Sequence, residues 1–154
     1  MKTNRIIIFT FSVLFSFSTL AQQINKQEGV FVNEKGEKHN GELISYFENG
    51  NKEFVYEVKE GVENGKAAFF YSSGKLQEQG FYKDGEKTGQ WIKWSENGQK
   101  LAEANYKNGT KDGSWMVWDE NGTKRYEMEY ANGERIGTWV SWDENGKETA
   151  RKTY

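Results

Sequence analysis

Few residues in this 154-residue chain are equipped for chemistry. It has one histidine, His39, and no cysteine, so it holds no thiol nucleophile, no thiolate metal site and no histidine cluster for zinc. Asp119-Glu120-Asn121-Gly122 and Asp143-Glu144-Asn145-Gly146 place carboxylates and an amide in short loops, a superficial likeness to a calcium loop. They lack the ligand spacing and the closing bidentate glutamate, and the equivalent loop Ser95-Glu96-Asn97-Gly98 begins with serine. Turn chemistry accounts for all three. Carboxylates on neighbouring strands could be paired on paper for glycoside hydrolysis, but no pair stands out from the many solvated ones. His39 is expected to be solvated. The expectation is a chain without catalytic residues, metal or cofactor.

Recognition is the chemistry that remains. Leu43, Ala67, Trp91, Trp115 and Trp139 recur at one position of a repeat. Tryptophan offers a large, rigid contact surface for a protein partner or a sugar ring. The candidate partner-binding residues are therefore Trp91, Trp115 and Trp139, rimmed by Glu103, Glu127 and Arg125, with Arg125 placed for a cation-π contact to Trp139. The competing reading is that these rings cover a thin sheet, which has no second layer to bury against. Trp94, Trp118 and Trp142 fall with a cleaner apolar set and read as structural.

The elements that position these rings are set by glycine. Glycines stand at 41, 65, 89, 113 and 137, a second series nine residues later at 50, 74, 98, 122 and 146, and a third at 61, 85, 109 and 133. The period is 24 residues. The third to fifth units open GQWIKWSENG, GSWMVWDENG and GTWVSWDENG; the first two, GELISYFENG and GKAAFFYSSG, are looser. Each unit has two alternating stretches closed by Asn-Gly or Asp-Gly, the pattern of a β-hairpin.

Counted from the first glycine, apolar residues sit at odd offsets in both stretches, such as Ile92 and Trp94 then Ala102, Ala104 and Tyr106. A three-residue loop, a type I turn with glycine in a G1 bulge, pairs odd with odd. Both Glu96-Asn97-Gly98 and Lys107-Asn108-Gly109 fit it. This register places Trp91 opposite Glu103, Trp115 opposite Glu127, and Trp139 beside Arg125 and Arg151. The tryptophans at even offsets then lie on the more polar face.

Lys2 and Arg5 precede the apolar run Ile6 to Phe17, and Ser18 to Ala21 lead into Gln22. That is the layout of a secretory signal cleaved after Ala21, and its run is short for a membrane span. Residues 22–154 then carry 19 basic and 23 acidic side chains, a net charge of −4, which disfavours nucleic acid. The absence of cysteine suits an oxidising compartment. Leu, Ile, Val and Phe make up only 20 of these 133 residues, a fraction typical of disorder. Twenty of the 42 apolar residues are aromatic, however, and with the strict period they decide for order.

The segments YKDGEKTGQW (82–91), YKNGTKDGSW (106–115) and YANGERIGTW (130–139) resemble MORN repeats of the bacterial variant kind, whose members are often labelled YwqK-type antitoxins. The resemblance covers about residues 41–154. It implies an elongated, twisted, single-layer antiparallel sheet and roles in scaffolding, partner binding, membrane association or toxin neutralisation. It implies no catalytic residues.

The expected organisation is a signal peptide (1–21), an N-terminal cap (22–40) and five MORN-like hairpins (41–64, 65–88, 89–112, 113–136 and 137–154). The fold class is all-β, a continuous antiparallel meander. The expected function is a secreted or periplasmic, non-enzymatic module that binds a protein partner. Alternatives are an immunity protein that neutralises a toxin, and a carbohydrate or envelope-binding module, with peripheral attachment to a membrane surface left open and no transmembrane segment after cleavage. Should the tryptophan ladder prove structural, recognition falls to the divergent first two units, where Phe47, Phe69 and Tyr71 add an aromatic patch.

Overall fold

A computed structural model describes residues 24–154; the signal segment and its cleavage point lie outside the described residues. Two short strands, β1 (Asn25–Gln27) and β2 (Val30–Val32), pair with each other. Ten more follow: β3 (Gly41–Tyr46), β4 (Lys52–Lys59), β5 (Val62–Phe70), β6 (Leu76–Lys83), β7 (Glu86–Trp94), β8 (Lys100–Lys107), β9 (Thr110–Trp118), β10 (Lys124–Ala131), β11 (Glu134–Trp142) and β12 (Glu148–Thr153). They form one antiparallel sheet in chain order from β3 to β12, the meander the sequence led us to expect.

Two turn types alternate along the sheet. Between β7 and β8, Gly98 N–H donates to Ser95 O at 2.9 Å, Ser95 N–H to Gln99 O at 2.8 Å, and Gly98 has φ 83°. This is the expected three-residue loop. Between β8 and β9 the expectation fails. Lys107 pairs directly with Thr110, and Asn108 and Gly109 have φ 48° and 73°, a two-residue type I′ turn whose twist matches that of its strands.

The facial assignment also needs correction. Trp94 lies opposite Lys100 but Lys93 lies opposite Ala102, so Leu101 has no partner. One extra residue reverses the facing of everything beyond it. Trp91 therefore pairs with Ala104, not Glu103, and Trp115 pairs with Ala104 on one side and Met128 on the other, not Glu127. Trp139 pairs with Lys152. A second irregularity sets Asn105 against Asp112, Gly113 and Ser114, between the pairs Ala104–Trp115 and Tyr106–Lys111. Its two extra residues preserve facing.

One face therefore carries Leu43, Tyr56, Ala67, Trp91, Ala104, Trp115 and Met128 in a row. The other carries Ile44, Val55, Ala68, Gln79, Ile92, Glu103, Met116 and Glu127. The best-buried side chains of the ten-stranded sheet, Leu43, Val58, Ala67 and Trp91, belong to the first face. Its open end is closed by the β1–β2 hairpin, whose Phe31 joins Ile24, Leu43 and Val58 in one cluster. Phe31 N–H donates to Gly61 O at 2.7 Å and Gly61 N–H to His39 O at 2.9 Å, tying this cap to the turn between β4 and β5. His39 is consequently 9% exposed and not solvated; its Nε2 donates to the Glu42 carbonyl at 3.1 Å.

Candidate functional site

The aromatic ladder is an inward-looking device. Each tryptophan indole N–H donates to a carbonyl of the preceding strand: Trp91 to Phe81 O at 3.2 Å, Trp115 to Asn105 O at 3.0 Å, and Trp139 to Glu129 O at 3.1 Å. A tyrosine stands beside each ring, with centroid distances of 5.1 Å for Tyr82–Trp91, 5.3 Å for Tyr106–Trp115 and 5.1 Å for Tyr130–Trp139. Trp91 is only 2% exposed, while Trp115 and Trp139 are half-buried.

A cation covers each ring. Lys87 Nζ lies 3.7 Å from the Trp91 centroid, Lys111 Nζ 4.2 Å from Trp115, and the Arg135 guanidinium 4.7 Å from Trp139. Each also reaches the next tyrosine, Tyr106, Tyr130 or Tyr154. Such contacts contribute about 0.5–2 kcal/mol each, more as the pair loses water. The expected Arg125–Trp139 contact is replaced by Arg135–Trp139. The three cations were not singled out from the sequence, although the pattern cation-x-Gly-x-Trp is visible at 87–91, 111–115 and 135–139. Residues four apart share a strand face.

The remaining three candidates lie elsewhere. Glu103 is on the opposite face, opposite Ile92 and Met116, where it accepts from Gln90 Nε2 at 2.6 Å and Lys100 Nζ at 2.9 Å. Glu127 is its counterpart one unit on, paired with Lys124 at 2.9 Å. Arg125 lies in a register shift of β10 and turns to the loop, donating to Trp142 O at 3.0 Å and Asp119 Oδ2 at 3.4 Å. The six residues do not form one surface.

Among the described residues, the clear pKa shifts fall on packed phenols and on loop or sheet-edge groups held by their partners. Burial, then the neighbouring Tyr82 and carboxylates, push the Tyr56 phenol well above its usual range. Burial also raises Tyr82, helped by Glu63 and Glu78, and Tyr106, helped by Glu78. These phenols stay neutral and pack. Partial burial raises Asp119, but the N–H of Thr123, the Arg125 guanidinium and the N–H of Asn121 outweigh it, and its carboxyl lies below the usual value. Its Oδ1 accepts from Asn121 N and Thr123 N at 3.0 and 2.9 Å, and Asp143 repeats the arrangement with Asn145 and Lys147. Among the described residues, no group of three or more His, Cys, Asp or Glu is placed to hold a metal ion.

Residues 63–84, 87–108 and 111–132 match the family model of the MORN repeat variant. Each match spans one hairpin, β5–β6, β7–β8 or β9–β10, and ends at the first residue of the following two-residue turn. The matched stretches thus contain Lys87 with Trp91 and Lys111 with Trp115. Strands β11 and β12 continue the pattern with Arg135 and Trp139. No curated protein matches the chain. MORN-variant repeats point to a repeat-built interaction module.

The second face is not covered in this way. The β1–β2 hairpin lies on the first face. On the second, Trp94, Trp118 and Trp142 are half-buried near the three-residue loops. Lys100 and Lys124 stand 5.6 Å from the Trp118 and Trp142 centroids. No helix among the described residues is long and apolar enough to cross a membrane.

Proposed function

We propose that the chain is a non-catalytic protein-interaction module that acts outside the cytoplasm and presents the second face of its sheet to a protein partner. The observation supporting this reading is the asymmetry of the two faces. On the first, every tryptophan has its N–H bonded, a tyrosine at its flank and a cation over its ring. On the second, ten strands offer apolar Ile44, Val55, Ile92 and Met116 among charges, without a covering element among the described residues. A surface of apolar centres set among polar groups has the make-up of a protein interface. Export rests on the charged start, apolar run and small-residue exit of residues 1–21.

The test is affinity capture with the exported chain, immobilised, from envelope and secreted fractions of its host, followed by reconstitution with the purified candidate. A stoichiometric protein complex that survives physiological salt supports the reading. Retention of glycan or lipid alone, with no protein, overturns it.

A further inference from the structure

The repeat departs from itself at three neighbouring positions of the second face. Where the other units carry Ile44, Ile92, Met116 and Val140, the second has Ala68; where they carry Glu57, Asn105, Glu129 and Thr153, it has Phe81; where they carry Glu42, Gln90, Ser114 and Thr138, it has Lys66. Lys66 and Phe81 are cross-strand partners, and Ala68 pairs with Gln79 and follows Lys66 on the same face. The small side chain leaves a hollow of about 360 Å³, bordered on this face by Lys66, Ala68, Gln79, Phe81, Gln90 and Ile92. A second hollow of about 220 Å³ continues it across Ala68 to Val55.

Each departure works against the free chain. Phe81 is 46% exposed, and it is one of three large hydrophobic residues left open among the described residues. Ala68 forgoes contacts that a larger side chain would make in the same row. Lys66 forms no ion pair among the described residues; its backbone N–H is held by Glu57 Oε2 at 2.9 Å, which turns that carboxylate toward the main chain. An exposed aromatic wall, an unfilled floor and an unpaired ammonium at one place have the make-up of an interface anchor site.

We propose that this hollow takes an apolar, preferably aromatic, side chain carried on a short segment of a protein partner, with an adjoining carboxylate received by Lys66. The proposal rests on the interaction reading above and names its anchor. Ala68 gives the depth, Phe81 and Ile92 supply the apolar walls, and Gln79 offers its amide to the partner's main chain. The later units, with Ile92, Met116 and Val140 at the corresponding position, have this place filled.

The test uses the exported chain and two fragments, N-acetyl-phenylalanine as its carboxylate and N-acetyl-phenylalaninamide, followed by amide chemical shifts at neutral pH. Shifts confined to residues around 66–68, 79–81 and 90–92 are expected, with the carboxylate about fivefold tighter than the amide. Lys66→Glu should abolish or reverse that preference and leave the pattern of shifts. Ala68→Phe should remove binding, its unperturbed spectrum elsewhere showing that the sheet is intact; if it fails to fold, Phe81→Ser serves in its place. Scattered shifts, equal affinity for both fragments, or undiminished binding to a folded filled-hollow variant would overturn the proposal. A captured partner that binds Ala68→Phe as well as the parent would sink the anchor and leave the interaction reading standing. Fragment binding at the hollow without any captured protein would do the reverse.

Discussion

The indole Nε1 of Trp115 donates to the carbonyl of Asn105 at 3.0 Å, and Asn105 is the residue that faces Asp112, Gly113 and Ser114 in the irregularity between β8 and β9. The ring thus closes the sheet where the ladder is locally interrupted. The same bond recurs 24 residues earlier and later, at Trp91 and Trp139, so these tryptophans are part of how successive hairpins are joined.

Trp115→Ala should therefore destabilise the chain, by about 3 kcal/mol for the loss of a large packed ring, and Trp115→Phe by about 1 kcal/mol for the lost hydrogen bond. Urea unfolding followed by circular dichroism measures both. A Trp115→Ala variant as stable as the parent would show that the ring is dispensable to the sheet.

Two glycines separate backbone strain from crowding. At Gly98, φ is 83° and a Cβ would meet open space, so Gly98→Val should cost more than about 1 kcal/mol through main-chain conformation alone. Gly80 has no such φ, but a methyl group there would overlap the Trp91 indole. Gly80→Ala should be more damaging than Gly98→Val, and combining it with Trp91→Leu should cost less than the sum of the two. Strict additivity in a double-mutant cycle would refute the contact.

The half-buried phenols of Tyr56, Tyr82 and Tyr106 set an alkaline limit. Their folded pKa values lie above the unfolded value of 10.0, so the unfolded chain loses its protons first. The stability they contribute is complete below about pH 10 and lost as pH rises toward the folded values. Unfolding midpoints should fall above pH 10, and Tyr56→Phe should flatten that decline. An unchanged slope in the variant would assign the loss to other groups.

The cap makes the two ends of the sheet unequal. Phe31→Ala, which empties the cluster over Leu43 and Val58, should cost about 3 kcal/mol. Deletion of β12, whose residues are all exposed, should cost less than deletion of residues 24–40. Comparing the two truncations by thermal unfolding decides it, and a cap deletion that costs no more than loss of β12 would overturn the prediction.

Much of the fold was legible because glycine and Asn-Gly punctuate the chain. The position of Gly98 gave both the turn and its geometry. The facing of Trp91 was not legible, because it hinges on one unpaired residue, Leu101, whose side chain is that of an ordinary strand residue. Nothing in Lys107-Asn108-Gly109 told a two-residue from a three-residue loop, since Asn and Gly both accept positive φ. Lys87, Lys111 and Arg135 are legible as a cation-x-Gly-x-Trp pattern whatever the cross-strand pairing, since residues four apart share a strand face; the three-residue register points instead to Arg125 beside Trp139. Phe31 could not be matched to a repeat, since its segment caps the sheet and lies outside the period.

Strand order in the sheet is chain order. A polypeptide that emerges amino end first can therefore complete its cap and first two strands from residues 24–61, without waiting for anything downstream. Each later hairpin then meets a finished edge. Assembly can then proceed as growth on a template, with loop closures no longer than one hairpin at each step.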